Sequence, residues 1–92
     1  MKLTATDETH IQTIGKASGS ALRVHRLLQA RPILSIATAS DELKLSAPTV
    51  TASLKHLAKL GIARETTGRN YGRIYAYDKY LEILNEGTEP LN

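Results

Sequence analysis

The 92-residue chain has no cysteine, no tryptophan and no phenylalanine, and it carries one methionine and three prolines. Without cysteine there are no disulfide staples, no thiolate metal sites and no thiol nucleophiles, and a cytoplasmic setting is the expectation. No apolar run approaches the roughly 20 residues that a bilayer demands. The start, Met1-Lys2-Leu3-Thr4, lacks the apolar stretch of a secretion signal, so no membrane association is expected. Aromatic rings are confined to four tyrosines, at 71, 75, 77 and 80. Internal repeats and low-complexity tracts are also missing. What is present is the ordinary composition of a compact domain, 41% hydrophobic and 23% charged, long enough for one core and too short for two.

A net charge of +3 conceals an uneven distribution. Residues 16–73 hold ten lysines and arginines against three carboxylates, whereas the two ends hold two lysines and six carboxylates. A basic middle of this kind points to a polyanionic partner.

The periodicity predicts helices separated by clear punctuation. Residues 1–6 show no pattern and read as a frayed arm. Ile14, Ala17, Ala21, Val24 and Leu28, with Ile11 and Leu27 on the edges, form an apolar stripe at helical spacing. Gly15 and Gly19 weaken its first part, which reads as a separate helix or a hinged extension, while Ser20 to Ala30 reads as helix outright. Arg31-Pro32 ends it. After the short apolar run Ile33-Leu34, Ser35 caps a two-turn helix that ends near Leu43-Lys44. A tight turn follows, with Leu45 plugged into the core. Ser46 then caps a third helix with Pro48 in its first turn. Its expected buried stripe is Val50, Leu54, Leu57 and Ala58, and Gly61 stops it.

Ile62 to Thr66 and Arg73 to Tyr77 are β-compatible and are joined by the turn-rich run Thr67-Gly68-Arg69-Asn70-Tyr71-Gly72, the pattern of a hairpin that leans on the helices. Asp78 caps a last helix carrying Tyr80, Leu81 and Leu84. The fold class is therefore mainly α with a small β hairpin, in the order helix, short strand, helix, tight turn, helix, hairpin. This is the plan of a winged helix-turn-helix. Residues 1–18 form an N-terminal arm and linker helix, 19–86 the domain and 87–92 a tail.

In that plan, residues 47–60 are the recognition helix and 67–72 the wing. The outer face of the helix carries Pro48, Ala52, Lys55 and Lys59, flanked by Thr49, Thr51 and His56. Its small, hydroxylated front suits the major groove, where threonine bonds base edges or touches thymine methyls. The expected contacts to double-stranded DNA are Ser46, Thr49, Thr51, Ala52, Lys55 and Lys59 from the helix, with Arg69, Asn70 and Arg73 from the wing on the backbone or minor groove. Ser46 serves first as a helix cap. Lys44 stands where such turns commonly carry glycine, so the turn must accept a left-handed lysine or open.

Three histidines, His10, His25 and His56, lack the spacing of metal ligands and read as surface residues. The tyrosines read as a packed hairpin–helix junction. No nucleophile–base pair, phosphate-cradling glycine loop or facing pair of carboxylates is present, so neither an active site nor a cofactor is expected.

Gly19-Ser20-Ala21-Leu22-Arg23-Val24, Leu27-Leu28-Gln29, Pro32-Ile33 and the run from Tyr80 to Leu91 (Tyr80-Leu81-Glu82-Ile83-Leu84-Asn85-Glu86-Gly87-Thr88-Glu89-Pro90-Leu91) resemble the C-terminal winged-helix region of Fic family proteins. The resemblance spans roughly residues 10–92. It implies a fragment whose relatives carry an upstream Fic domain that transfers nucleotide monophosphates to protein hydroxyls. The histidine-led catalytic motif of that domain does not occur here, so no enzymatic activity transfers to this chain. For the module itself, the basic, small-residue face of residues 47–60 points to DNA binding, with transcription regulation as the expected role. The alternative is a protein-interaction module that positions the catalytic domain, with a homodimer formed through the N-terminal helix stripe.

Overall fold

Glycine and proline set the first boundaries. The computed structural model describes residues 2–66 and 73–86. Helix α1 spans Lys2–Gln12 and α2 spans Ser18–Ala30. Between them Gly15 takes φ +89, a conformation that few side-chain-bearing residues adopt, and the chain reverses there. Residues 2–6 are thus helical and not a frayed arm, because α1 has a core to dock on: Ile11 is fully buried and Leu3 and Ile14 pack against the same cluster. At the other end of α2, Arg31 is held out of the helical region by Pro32 while its amide still bonds the Leu27 carbonyl at 2.8 Å.

Strand β1, Ile33–Ser35, leads directly into α3, Ile36–Leu43, and the Ser35 hydroxyl accepts the Thr38 amide at 3.1 Å as an N-cap. The turn to α4, Ala47–Lys59, resolves the lysine question. Lys44 is left-handed, φ 57 and ψ 38, and its amide bonds the Ser40 carbonyl. Ser40 also receives the Leu45 amide at 3.3 Å and donates its hydroxyl to the Leu45 carbonyl at 2.5 Å. From α2, Arg23 donates to the Leu43 carbonyl at 2.7 Å and so closes the C-terminus of α3.

The β-segments are shorter than expected, Arg64–Glu65 for β2 and Ile74–Ala76 for β3, and they are not a lone hairpin. Strand β1 pairs antiparallel with β3, placing Leu34 opposite Tyr75, and β2 pairs with the other edge of β3. The order β1-β3-β2 makes a three-stranded antiparallel sheet, and this third strand supplies much of the support that a two-stranded ribbon lacks. Helix α5, Asp78–Glu86, follows. Asp78 is its first residue, and its carboxylate accepts two bonds from Arg64. The architecture is mainly helical, with the core formed where α2 and α4 pack together: Val24, Leu28, Val50, Leu54 and Leu57 are buried with Leu34, Tyr75 and Tyr77 from the sheet side.

His25 is not a surface residue. It is fully buried, as is Tyr77, and the two rings meet edge to face at 5.3 Å. Tyr77 donates its hydroxyl to Asp7 of α1 at 2.5 Å, so the 2.9 Å contact with His25 must be a bond donated by Nε2–H. The His25 Nδ1 is then a bare acceptor, and it has no partner among the described residues. Burial pushes the His25 pKa below 6.5, outweighing the attraction of Asp7 and Glu8. Burial, followed by the bond to Asp7, pushes Tyr77 above its ordinary 10.0. Of the tyrosine junction expected from the sequence, Tyr75 and Tyr77 are buried and Tyr80 stacks on Tyr77 at 5.1 Å, while Tyr71 lies outside the described residues.

Candidate nucleic-acid interface

Local rules fix α4 at both ends. The Ser46 hydroxyl accepts the Thr49 amide at 3.3 Å, and Pro48 occupies the first turn, where no intrahelical donor is missed. At the far end Gly61 is left-handed, φ +77. Its amide bonds Ala58 and the Ile62 amide reaches back to Leu57, which is a Schellman stop. Between these ends the helix buries Val50, Ser53, Leu54 and Leu57. Ala58, expected in that stripe, is exposed, and Ser53 takes its place because the buried arc is rotated toward the N-terminal end of α2.

The opposite face meets solvent. Pro48, Ala52, Lys55 and Lys59 are all exposed, with Thr49, Thr51 and His56 half-buried on the flanks. No acidic residue occurs in α4. Elsewhere three arginines pair with carboxylates, Arg26 with Glu8 at 3.9 Å, Arg31 with Glu42 at 2.5 Å and Arg64 with Asp78 at 2.5 Å, and Arg23 bonds the Leu43 carbonyl. Among the described residues Lys55 and Lys59 have no anionic partner. Two unpaired cations therefore project from a helix whose other side is the core.

The threonine hydroxyls are partly engaged. Thr49 Oγ1 lies 2.8 Å from Ser46 Oγ, and Thr51 Oγ1 donates to the Ala47 carbonyl at 2.8 Å. A shallow concavity runs between the N-terminal parts of α2 and α4, lined by Ala17, Ser20, Pro48, Thr49, Ala52 and Ser53. Neither this concavity nor Ser53 is marked by the apolar periodicity; the small residues Ala17, just before α2, and Ser20, in its first turn, are the signal that could have located it.

Of the expected DNA contacts, the structure gathers Ser46, Thr49, Thr51, Ala52, Lys55 and Lys59 on α4 and its cap. Arg73 lies just before β3, half-buried and engaged within the chain. Arg69 and Asn70, and the wing 67–72 as a whole, fall outside the described residues.

Comparison with protein-family models, curated proteins and solved structures finds no match. Among the described residues no group of three or more histidine, aspartate or glutamate side chains is placed to hold a metal ion, and no helix is long and apolar enough to cross a membrane.

Proposed function

We propose that the chain is a winged helix-turn-helix DNA-binding module, with α4 as the recognition helix in the major groove of duplex DNA. The observation that carries this reading is the pairing of faces on α4: leucines and valine inward, Lys55 and Lys59 outward and unpaired, with no carboxylate on the helix to repel phosphate. The sheet order β1-β3-β2 and the capped α3–turn–α4 unit support the finer fold assignment. In this reading Lys55 and Lys59 hold phosphates, the front of α4 meets base edges, and Arg69, Asn70 and Arg73 add wing contacts. The chain supplies binding and no catalysis. Beside a Fic-like domain it would bring that domain to DNA.

The competing protein-interaction reading draws on the stripe Ile14, Ala17, Ala21, Val24 and Leu28, its N-terminal part above all, as a partner-binding face. Of that stripe Ala21, Val24 and Leu28 are buried in the domain's own core, and Ile14 packs against the core while, like Ala17, it stays half-buried, which leaves little apolar face for a partner.

Fluorescence anisotropy with a mixed-sequence duplex at several salt concentrations tests the proposal. Log K should fall with log salt by about 0.9 for each phosphate contact. The Lys55→Glu/Lys59→Glu double variant should lose about two contacts, lowering the slope by about 1.8 and affinity by more than about tenfold at low salt. Unchanged affinity in that variant, with its fold intact by circular dichroism, would overturn the assignment.

A further inference from the structure

We infer that α1 is an acid-released latch: uptake of one proton by His25 swings α1 away about Gly15, opening His25 and Tyr77 to water while α2 to α5 remain folded. The device stands apart from α4 and from the DNA-binding reading. Its lock is the line of bonds that joins α1 to the body of the domain. Tyr77 donates to the Asp7 carboxylate at 2.5 Å, and His25 donates from Nε2–H to the Tyr77 oxygen at 2.9 Å. Both rings are fully buried. With the proton on Nε2, the His25 Nδ1 is bare and has no partner among the described residues.

That bare nitrogen is where a second proton must go. Protonated, Nδ1 becomes a donor without an acceptor among the described residues, on a ring that solvent does not touch. A buried donor left unpaired is costly, and the charge it carries adds to the cost. The surrounding groups do not remove it. Asp7 and Glu8 of α1 attract the proton and Arg26 of α2 repels it. The Tyr77 hydroxyl, with Tyr80 stacked on its ring, is already donated to Asp7. Helix α4 buries only Val50, Ser53, Leu54 and Leu57, none of them charged, and on α3 Glu42 is engaged by Arg31 while Asp41 is exposed. Burial outweighs the two carboxylates, so the closed form binds the proton more weakly than a histidine in water does. Opening restores the ordinary affinity, and proton uptake therefore favours the open form.

Helix α1 is the element that yields. Helix α2 is held by α3 and α4 as well as by α1, whereas α1 packs chiefly on α2. The apolar hold of α1 is Ile11, with Leu3 and Ile14 against the same cluster. The Glu8–Arg26 pair, 3.9 Å apart and largely in water, adds little. The hinge is built in: Gly15 sits at φ +89 between the two helices, with open space where a side chain would be. Alone, the 11 residues of α1, three of them threonine, make a poor helix, so α1 unwinds on release.

Amide hydrogen exchange read by NMR from about pH 7.5 to about pH 5, expressed as protection factors, tests the latch. The amides of α1 should be less protected than those of α4 at every pH, and their protection should fall by up to about tenfold for each pH unit below 6.5. In His25→Gln, which keeps an N–H donor and does not titrate, that fall should disappear. Ile11→Ala, which loosens α1 without touching the bonded line, should lower α1 protection at every pH, keep the fall below 6.5, and lose the helical chemical shifts of residues 2–12 in acid while those of α2 to α5 persist. Equal protection of α1 and α4 in the unaltered chain and in Ile11→Ala would make the opening global and overturn the inference. Protection of α1 that ignores pH, or a fall that persists in His25→Gln, would overturn it as well.

Discussion

The corner formed by α1, α2 and Tyr77 and the outer face of α4 both hold polar groups that are incompletely paired, yet the consequences are opposite. At the corner, Asp7, His25 and Tyr77 are buried and bonded in a line that ends in an orphaned Nδ1. Each group there depends on its neighbour, because water cannot replace a lost bond. On α4, Lys55 and Lys59 are exposed and unpaired among the described residues, and water satisfies them fully at no cost to the fold. The first region should therefore respond to mutation and pH through stability, and the second to salt through binding.

The largest effect expected is from Tyr77→Phe. It keeps the packing volume and the stacking on Tyr80 but removes the single hydroxyl that serves both Asp7 and His25. A loss of about 3 kcal/mol is expected, since two buried partners are stranded together. Urea unfolding checks it, and the DNA salt slope of the variant should match the original. A loss below about 1 kcal/mol would mean that α1 docks through Ile11 and its apolar neighbours alone.

The pH dependence sharpens the same contrast. Because burial lowers the His25 pKa in the folded state, the unfolded chain takes up a proton first as pH falls below 6.5, so stability is complete above that value and declines beneath it. Tyr77 is raised, so its contribution is complete below 10.0 and is lost as pH rises beyond it, where only the unfolded chain ionises. Each flank should be no steeper than about 1.4 kcal/mol per pH unit for one proton. In His25→Gln, which retains an N–H donor without titrating, the component of the acid flank that begins at 6.5 should vanish. Thermal melts across pH would follow it.

The sequence made visible whatever depends on neighbours in the chain. Ser35 and Ser46 as caps, Pro32 and Gly61 as stops, and the strain at Lys44 are all local, and their outcomes agree with short-range rules. The outward placement of Lys55 and Lys59 follows from the period of Val50, Leu54 and Leu57. Features that join distant segments were hidden. His25 and Tyr77 are 52 residues apart and Asp7 and Tyr77 are 70 apart, so nothing near any of them announces the line of bonds. A hint lay in position: Asp7 precedes Ile11 by one turn, and His25 sits beside Val24 on a buried arc, so both are polar residues at apolar places. Pairing of β1 with β3 was hidden for the same reason, because a three-residue strand gives too short a pattern to show its partner. The exchange of Ala58 for Ser53 is a rotation of the buried arc of α4, the helix that packs on α2.

Ser46 lies where stability and binding meet. Ser46→Ala should cost about 1 kcal/mol through the lost cap and, on the proposed DNA-binding reading, should also weaken binding modestly, because the frayed first turn carries the residues proposed to face the bases. Urea unfolding and anisotropy on the same sample separate the two. If stability falls with no change in affinity, the first turn of α4 stands clear of the bases and the readout lies farther along the helix.

Lys44→Gly should have the smallest effect and the opposite sign. Lysine at φ 57 and ψ 38 bears a strain of about 1 kcal/mol that glycine does not. Glycine gives part of this back, because it adds freedom to the unfolded chain. The net expectation is a gain of about 0.5 kcal/mol, read as a slightly higher thermal midpoint, with the Ser40 bonds to the backbone of Lys44 and Leu45 retained. Lys44 projects from the turn and not from the outer face of α4, so the salt slope should stay the same. A slope lower by about 0.9 would add Lys44 to the phosphate contacts and carry the cationic face around the turn, making the division between a region that holds the fold and a region that meets the ligand less sharp than α4 alone implies.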